Sequence, residues 1–431
     1  MALGGGIFTT QNKVLPGSYI NVVSKAQPVS NLGERGIVAL PIQLSWGKSG
    51  VFTVTAEEFQ KNSMEIFGYA YTADEIKPIR EVFRHAEKVR FYNLYDGAGT
   101  KASCEIATAK YAGSRGNDLR IVIKKDVDDA TLFHVSIRMG SSEVYKQTAR
   151  TVADLKDNEF VTWTCETLTE KEPVFEGGGD GRSEVSGGSL QNALNAFEGY
   201  NFNVLVCPNI STEGECELFK AYTKRLRDEV GVKFQTVVAS LANVYDYEGV
   251  VCLKYSQKDA IYWVAGALAG CALNKSCTNM TYDGEYDIPC PETQTELQEC
   301  IHDGIFALHT VEDEVRVLVD INSLTTFTDT KSEMFSKNQV IRVADQCAND
   351  TAKIFNNEFL GKIQNDESGR ISLWNRILTH RRELETMRAI DKYSVDSLTV
   401  NQGQNRQSIV VDEVIVPLSA MEKLYMTIVI D

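Results

Sequence analysis

The spacing of apolar residues changes character several times along the chain, and each change marks a candidate boundary. Residues 1–19 are rich in glycine (Gly4, Gly5, Gly6, Gly17) around a polar stretch, and carry too few apolar side chains to fold on themselves. Residues 16–24 then alternate apolar and polar positions with the period of two that a strand requires. An extended end leading into a strand predicts an arm that pairs with another chain; a frayed terminus is the competing reading. From Gly36 the pattern predicts a buried strand with a loop over 36–47, an amphipathic helix over 57–68, a helix over 76–89 and a strand over 88–97. Strand and helix in alternation fit an α/β layer.

Residues 104–126, 133–140, 143–152 and 160–167 read as short strands separated by glycine and Asn/Asp turns, an antiparallel unit inserted into the α/β layer. The glycine-rich stretch 173–189 reads as a linker or hinge. The α/β pattern then resumes, with helices at 190–201 and 216–231 and strands at 202–209, 233–240 and 246–256. A wholly apolar, small-residue helix follows at 261–274. The last segment opens with an amphipathic helix over 339–361, closed by Gly361, and a basic helix over 368–390. Strands are predicted at 394–400, 407–418 and 423–431, and the last, β-branched and ending with the chain, is a donor for strand pairing.

The fold class expected is α+β and multidomain: an α/β domain with an inserted β-rich domain, and a C-terminal α+β assembly domain with extended arms. The divisions fall at 1–20 (arm), 21–97 (first part of the α/β domain), 98–175 (insertion), 176–338 (second part) and 339–431 (assembly domain).

Composition narrows the function. A chain of 431 residues suits two to four domains, and 43% hydrophobic residues is ordinary for a folded protein. A formal net charge of −15 argues against nucleic acid or an anionic membrane as partner. No basic stretch followed by an apolar run opens the chain, so synthesis in a cytoplasm without a signal peptide is expected. The apolar run 261–274 is too short to span a bilayer and reads as a buried helix packed through its small residues.

Candidate chemistry mostly dissolves on inspection. The ten cysteines include a crowded set, Cys271, Cys277, Cys290 and Cys300, but their spacing matches no common zinc pattern, and His302 and His309 do not complete one. Reduced structural thiols are expected. Residues 177–183 carry glycines and Arg182 but lack the GK[ST] that a phosphate-cradling loop needs. His85, His134, His302, His309 and His380 form no HExxH, and no serine sits in GxSxG. No catalytic, cofactor-binding or metal residues are assigned, and no cofactor is expected. What survives is the basic helix with Arg370, Arg376, Arg381, Arg382 and Arg388, where Leu373, Ile377 and Leu384 turn inward. It is either a solvated helix paired with Glu383 and Glu385 or a docking surface for an acidic partner.

The run from Asn338 to Arg370, and Ile409 to Asp431 with Val416-Pro417-Leu418 and Met421 through Met426, resemble the C-terminal domain of contractile phage tail sheaths. Residues 110–123 are similar to a Gly-Asn-Asp strand of that family, with Ala112 where proline is common, and 177–181 and 202–209 also follow its pattern. The likeness extends to the sheaths of Gram-positive phages and of R-type, diffocin-like bacteriocins. It implies a homo-oligomer of stacked hexameric rings in a helical sheath around an inner tube protein, bounded by baseplate and terminator proteins. Such a sheath contracts to drive the tube through a bacterial envelope, without nucleic-acid or membrane binding of its own, and is released in a phage or phage-tail-like particle. It further implies inter-subunit arms at residues 3–19 (Ile7, Phe8, Tyr19) and 421–431 (Leu424, Tyr425, Met426, Ile428, Ile430), which exchange strands between neighbours. The basic helix would face the tube through Arg370, Arg376, Arg381 and Arg382. The glycines of the first arm and residues 402–404 would act as hinges. Two other classes remain open: an α/β hydrolase or transferase with a β insertion, and a binding module that oligomerises through its terminal strand.

Overall fold

A computed structural model describes residues 32–95, 99–181, 185–208, 212–240 and 245–430. The predicted first arm, with Ile7, Phe8 and Tyr19, and the strand expected at 16–24 lie outside those residues.

The chain first forms β1 (Ile37–Ile42), β2 (Val51–Thr55), α1 (Ala56–Phe67), α2 (Lys77–Phe83) and β3 (Lys88–Asn93). Thr55 starts α1 with a reciprocal cap: its hydroxyl accepts from the Glu58 N–H, and Glu58 accepts from the Thr55 N–H. The chain then leaves for a β unit built from β4 (Ser103–Cys104), β5 (Ala107–Ala109), β6 (Leu119–Lys125), β7 (Phe133–Met139), β8 (Ser142–Ala149) and β9 (Val161–Trp163). It returns through α3 (Gly187–Phe197), β10 (Val204–Val206), α4 (Glu213–Lys224), β11 (Gln235–Ser240), β12 (Val250–Lys254), α5 (Ile261–Gly270), α6 (Gln294–His302) and β13 (Ile305–Phe306).

One seven-stranded sheet gathers both parts in the order β13-β12-β11-β10-β1-β3-β2, and only β2 runs antiparallel to its neighbour. Strands covered on both faces must be apolar on both, and β1 reads Ile-Val-Ala-Leu-Pro-Ile. Val38, Leu40, Val204, Val206, Val251 and Leu253 point to one layer with α2 and α5. Ile37, Ala39, Leu205, Val250 and Cys252 point to the other, with α3 and α4. The apolar helix predicted at 261–274 is α5, buried all round. Its glycines admit close approach, since a Cβ on Gly266 would stand 2.3 Å from the Val82 carbonyl oxygen. No helix among the described residues is long and apolar enough to cross a membrane.

The β unit encloses its own core of Leu119, Ile121, Val135, Ile137, Phe160 and Phe175. Trp46, from the loop after β1, is buried in that core rather than in its own domain. It lies edge-on to Tyr111 at 5.3 Å and donates its indole N–H to the Glu65 carbonyl at 3.2 Å.

As far as Gly181 the glycine-rich stretch is paired rather than the free linker or hinge its composition suggests. Residues 171–179 run back along the β unit, bridging Lys171 to Ile123, Val174 to Arg120, Glu176 to Ser103 and Gly179 to Thr100. Asp180 then accepts from the Ser114 N–H (2.8 Å) and from the Ser45 hydroxyl (3.1 Å). Glycine is required here by crowding, because a Cβ on Gly178 would lie 2.7 Å from the Gly113 carbonyl oxygen.

After a hairpin of β14 (Leu308–Val311) and β15 (Glu314–Val317), which like β2 and α6 had no sequence expectation, the chain forms α7 (Asn338–Ile354) and α8 (Glu367–Thr386). A second hairpin, β16 (Leu398–Gln402) and β17 (Ile409–Glu413), completes a C-terminal unit. Its core joins Val343, Cys347, Leu373, Ile377, Leu384 and Leu398 with Leu273 from the loop after α5.

Candidate assembly surface

The C-terminal unit is seated by an unusual helix face. α7 turns Val343, Cys347, Asp350 and Ile354 toward α8, but toward the sheet domain it presents Asn338, Arg342, Asp345 and Asn349. Each finds a partner. Arg227 grips Asp345 with two hydrogen bonds of 2.6 and 2.9 Å. Arg342 meets Asp320 at 3.2 Å and the Lys275 carbonyl at 2.9 Å. Asn338 donates to Asp320 at 2.9 Å and accepts from Gln235 at 2.8 Å, and Asn349 donates to the Lys233 carbonyl at 2.7 Å.

Asp350 begins a buried relay. Its Oδ2 accepts from the Gly33 N–H (3.0 Å), from Gln346 (2.7 Å) and from His380 Nε2 (2.8 Å). Burial raises the Asp350 carboxyl, but the hydrogen bonds from His380, Gly33 and Gln346 outweigh it and hold the group below the usual carboxylate range. His380 Nδ1 lies 2.6 Å from Arg381 Nη1. A guanidinium only donates, so Nδ1 accepts and the imidazole proton sits on Nε2, facing Asp350. Arg381 continues to Glu413 on β17 through bonds of 2.7 and 2.9 Å and to the Thr351 hydroxyl at 2.8 Å. Tyr393 closes the chain on Glu413 at 2.6 Å. One polar path thus runs from Gly33, near the start of the described chain, to the strand that leads into the C-terminal segment.

This relay corrects one expectation. Arg381 is 2% exposed and fully engaged, so it is not part of an outward docking face. It stands four residues after Ile377 and three before Leu384, on the inward side of α8, where burial pulls it against Glu413. The other arginines lie elsewhere: Arg370 donates to the Asn365 carbonyl at 3.2 Å, Arg376 binds Glu358 at 2.8 Å, and exposed Arg382 pairs with Glu385 at 3.0 Å. Leu373, Ile377 and Leu384 turn inward as expected.

Two features face outward. The hairpin β16–β17 pairs with no further strand among the described residues; α8 covers one face of it, and Trp374 donates to the Leu398 carbonyl at 3.0 Å. Two-stranded sheets are marginal and present unpaired edges. Beyond the hairpin the chain is rooted step by step: the Asp391 N–H donates to the Val416 carbonyl (2.8 Å), the Leu418 N–H to the Ala389 carbonyl (3.0 Å) and the Ala420 N–H to Gln339 (2.9 Å). Glu422 is pinned by Lys337 at 2.7 Å and Thr278 at 3.0 Å. Past that pin, Leu424 (85% exposed), Tyr425, Met426, Ile428 and Ile430 (91%) stand in solvent, outside any helix or strand. The strand expected at 423–431 has no partner within the described chain.

Two further histidines face carboxylates. His85 lies 3.1 Å from Asp283 and His134 2.7 Å from Asp126. Among the described residues no group of three or more His, Cys, Asp or Glu is placed to hold a metal ion.

Comparison with known proteins covers the described chain end to end. Residues 35–94 match the tail sheath protein Gp18 domain III N-terminal region, and 96–190 the phage tail sheath protein beta-sandwich domain. Residues 183–323 match the phage tail sheath protein central domain, and 330–431 the phage tail sheath C-terminal domain. The phage-like element PBSX protein XkdK of Bacillus subtilis (strain 168) is 31% identical over 99% of both chains. The sheath tail protein of Desulfitobacterium hafniense superposes with a TM-score of 0.78 at 32% identity, covering 95% of this chain and 99% of that one. The helical sheath of the anti-feeding prophage in its contracted state shares the fold alone, with a TM-score of 0.54 at 11% identity over 96% and 99% of the two chains.

Proposed function

Because this chain belongs to the phage tail sheath family, we propose that it polymerises as stacked hexameric rings around an inner tube and contracts to drive that tube through a bacterial envelope. The observation that carries this reading is the solvated apolar segment beyond Glu422 beside a hairpin with open edges. Buried fully, each large side chain of that segment is worth about 1.5–3 kcal/mol. A segment so disposed is stable only against another surface, and a neighbour's hairpin offers main-chain donors and acceptors in register for a strand. Residues 421–431, with Leu424, Tyr425, Met426, Ile428 and Ile430, are the donor, and β16–β17 is the acceptor. The first arm, with Ile7, Phe8 and Tyr19, adds the second exchanged strand. Such links tie subunits together by backbone hydrogen bonds while the rigid domains rotate.

The tube side of α8 is carried by Arg382 and Arg376, with Arg370 at its start, and Arg381 supports it from within. The inner tube and the baseplate and terminator proteins at its ends complete the partner set. Subunits are made in the bacterial cytoplasm and leave in a phage or phage-tail-like particle. The energy of contraction comes from the tighter packing of subunits against one another, and the subunit acts as a structural part rather than an enzyme.

Removal of residues 421–431 tests the donor. The truncated subunit should keep the melting temperature of the full chain within about 2 °C, since the removed segment contacts the fold only through the surface pair of Glu422 with Lys337 and Thr278. It should sediment as a monomer where the full chain forms tubes visible by negative-stain electron microscopy. Tubes of normal diameter from the truncated chain would overturn the assignment.

A further inference from the structure

Lys254, Cys300 and Glu292 come together where the edge of the large sheet meets α6. Lys254 is the last residue of β12, and β13, which pairs alongside β12, follows α6 after a short turn. Helix α6 buries Leu297 and Cys300, and a reciprocal cap between Thr293 and Glu296 fixes its start. Glu292 immediately precedes that cap. The Lys254 Nζ donates to Cys300 Sγ at 3.6 Å and lies 3.5 Å from Glu292 Oε1.

The carboxylate sets this cluster apart from an ordinary structural thiol. The Glu292 side chain is 6% exposed, and its Oε2 has no hydrogen-bond partner among the described residues. A buried acceptor left open is costly, and this one belongs to the group paired with the ammonium. It is a proton acceptor held beside Lys254. The Lys254 side chain is 25% exposed, so a water-sized reagent can approach from its side, while Cys300 is buried. Burial works against the ammonium, but the Cys300 sulfur and Glu292 outweigh it and hold Lys254 above the usual lysine range. The nitrogen becomes a nucleophile only after giving up a proton.

We propose that Cys300 is a site of oxidation by hydrogen peroxide, and that Lys254 captures the oxidised sulfur and joins β12 to α6 by a covalent N–S bond. The Cys300 thiolate attacks one peroxide oxygen, the O–O bond breaks, and the departing hydroxide takes a proton to become water. Cys300 is then a sulfenic acid, an electrophile that condenses with a nearby nitrogen. Lys254 passes one proton to Glu292 and attacks the sulfur. The S–OH bond breaks, the hydroxide collects a second proton from the nitrogen, and Glu292 releases its proton to solvent. One thiol, one ammonium and one hydrogen peroxide thus give one N–S bond, two waters and one proton. The sulfur is oxidised by two electrons and the peroxide is reduced.

The location gives the bond a consequence. Ile301 and His302, which follow Cys300 on α6, line the same cleft as Lys337 and Lys423. Lys337 in turn pins Glu422, where the terminal segment leaves the fold. The covalent link would hold α6 against the sheet beside that root. The chemistry is independent of polymerisation.

The test uses the full chain, reduced and then treated with hydrogen peroxide, digested and mapped by mass spectrometry. Parallel reactions run at neutral pH and near the ordinary lysine value of about 10.4. The peptides holding Lys254 and Cys300 should be joined, with two hydrogen atoms fewer than their sum. The yield should grow toward alkaline pH, because only the neutral amine attacks, and a thiol reductant should part the peptides again. Lys254→Arg, which keeps the positive charge, should leave Cys300 as a sulfenic acid that dimedone labels, with no joined peptide. Glu292→Gln should slow the joining while dimedone still labels Cys300. In the unmodified sequence, dimedone-labelled Cys300 without the joined peptide, or oxidation confined to other cysteines, would overturn the proposal.

Discussion

Arg381 shows how much one side chain does when it is placed inside rather than outside. It spans α7, α8 and β17 by touching Thr351, His380 and Glu413, and no neutral side chain could satisfy all three. Removing it leaves the largely buried Glu413 carboxylate with only the Tyr393 hydroxyl as donor and the His380 lone pair with none. Arg381→Ala should therefore destabilise the subunit by about 3–5 kcal/mol, read as a lower urea midpoint. Arg382→Ala, which frees only the exposed Glu385 pair, should change stability by less than about 0.5 kcal/mol. Equal effects would mean that the relay is not structural. Gly33 belongs to the same account, since a Cβ there would collide with Asp350 at 2.3 Å.

At the scale of elements, α5 and α7 use opposite chemistries to pack. α5 has no polar face and gains its closeness from small residues: Gly266 lies against the Val82 carbonyl and Gly270 against that of His85. Gly266→Val should cost about 3 kcal/mol or more through overpacking against backbone. Gly214→Ala, in the first turn of α4 with open space around it, should leave the melting temperature unchanged or raise it slightly. Thermal unfolding of the two variants compares the sites directly. α7 instead docks through paired charges and amides, and a turn or slide of the helix would unpair several buried groups at once. That face therefore specifies one seating of the C-terminal unit on the sheet domain.

In the whole molecule, the sheet domain, the β unit and the C-terminal unit are joined by residues that cross between them. Trp46 leaves the sheet domain to fill the β unit, Leu273 enters the C-terminal core, and Arg227 and Arg342 reach α7. Trp46→Ala should lower stability by about 3–5 kcal/mol and expose the β unit first, seen as early proteolytic cleavage within residues 99–181. Cleavage distributed evenly over the molecule would show that Trp46 is not the tie. The acidic balance of the chain is compatible with self-association because the segment beyond Glu422 is mostly apolar, with Lys423 its one basic residue.

Local sequence determined the elements whose period is strong and whose ends carry turn or cap residues. These include the apolar strands of the parallel sheet, the amphipathic α1 and α7, the small-residue α5, and an apolar terminal segment unable to fold on itself. The motif at 338–370 and 409–431 also carried the family. Strand neighbours, by contrast, are long-range choices: β1 pairs with β10 across the entire β unit, and periodicity holds no record of a partner. Composition made 173–189 look like a hinge because it cannot register that glycine was needed for crowding. The arginines of α8 look alike in a charge pattern, and only the position of Glu413 decided that Arg381 would be drawn inside. Packing brought that carboxylate beside the arginine from a distant strand, and electrostatic influence follows distance in space and not along the chain.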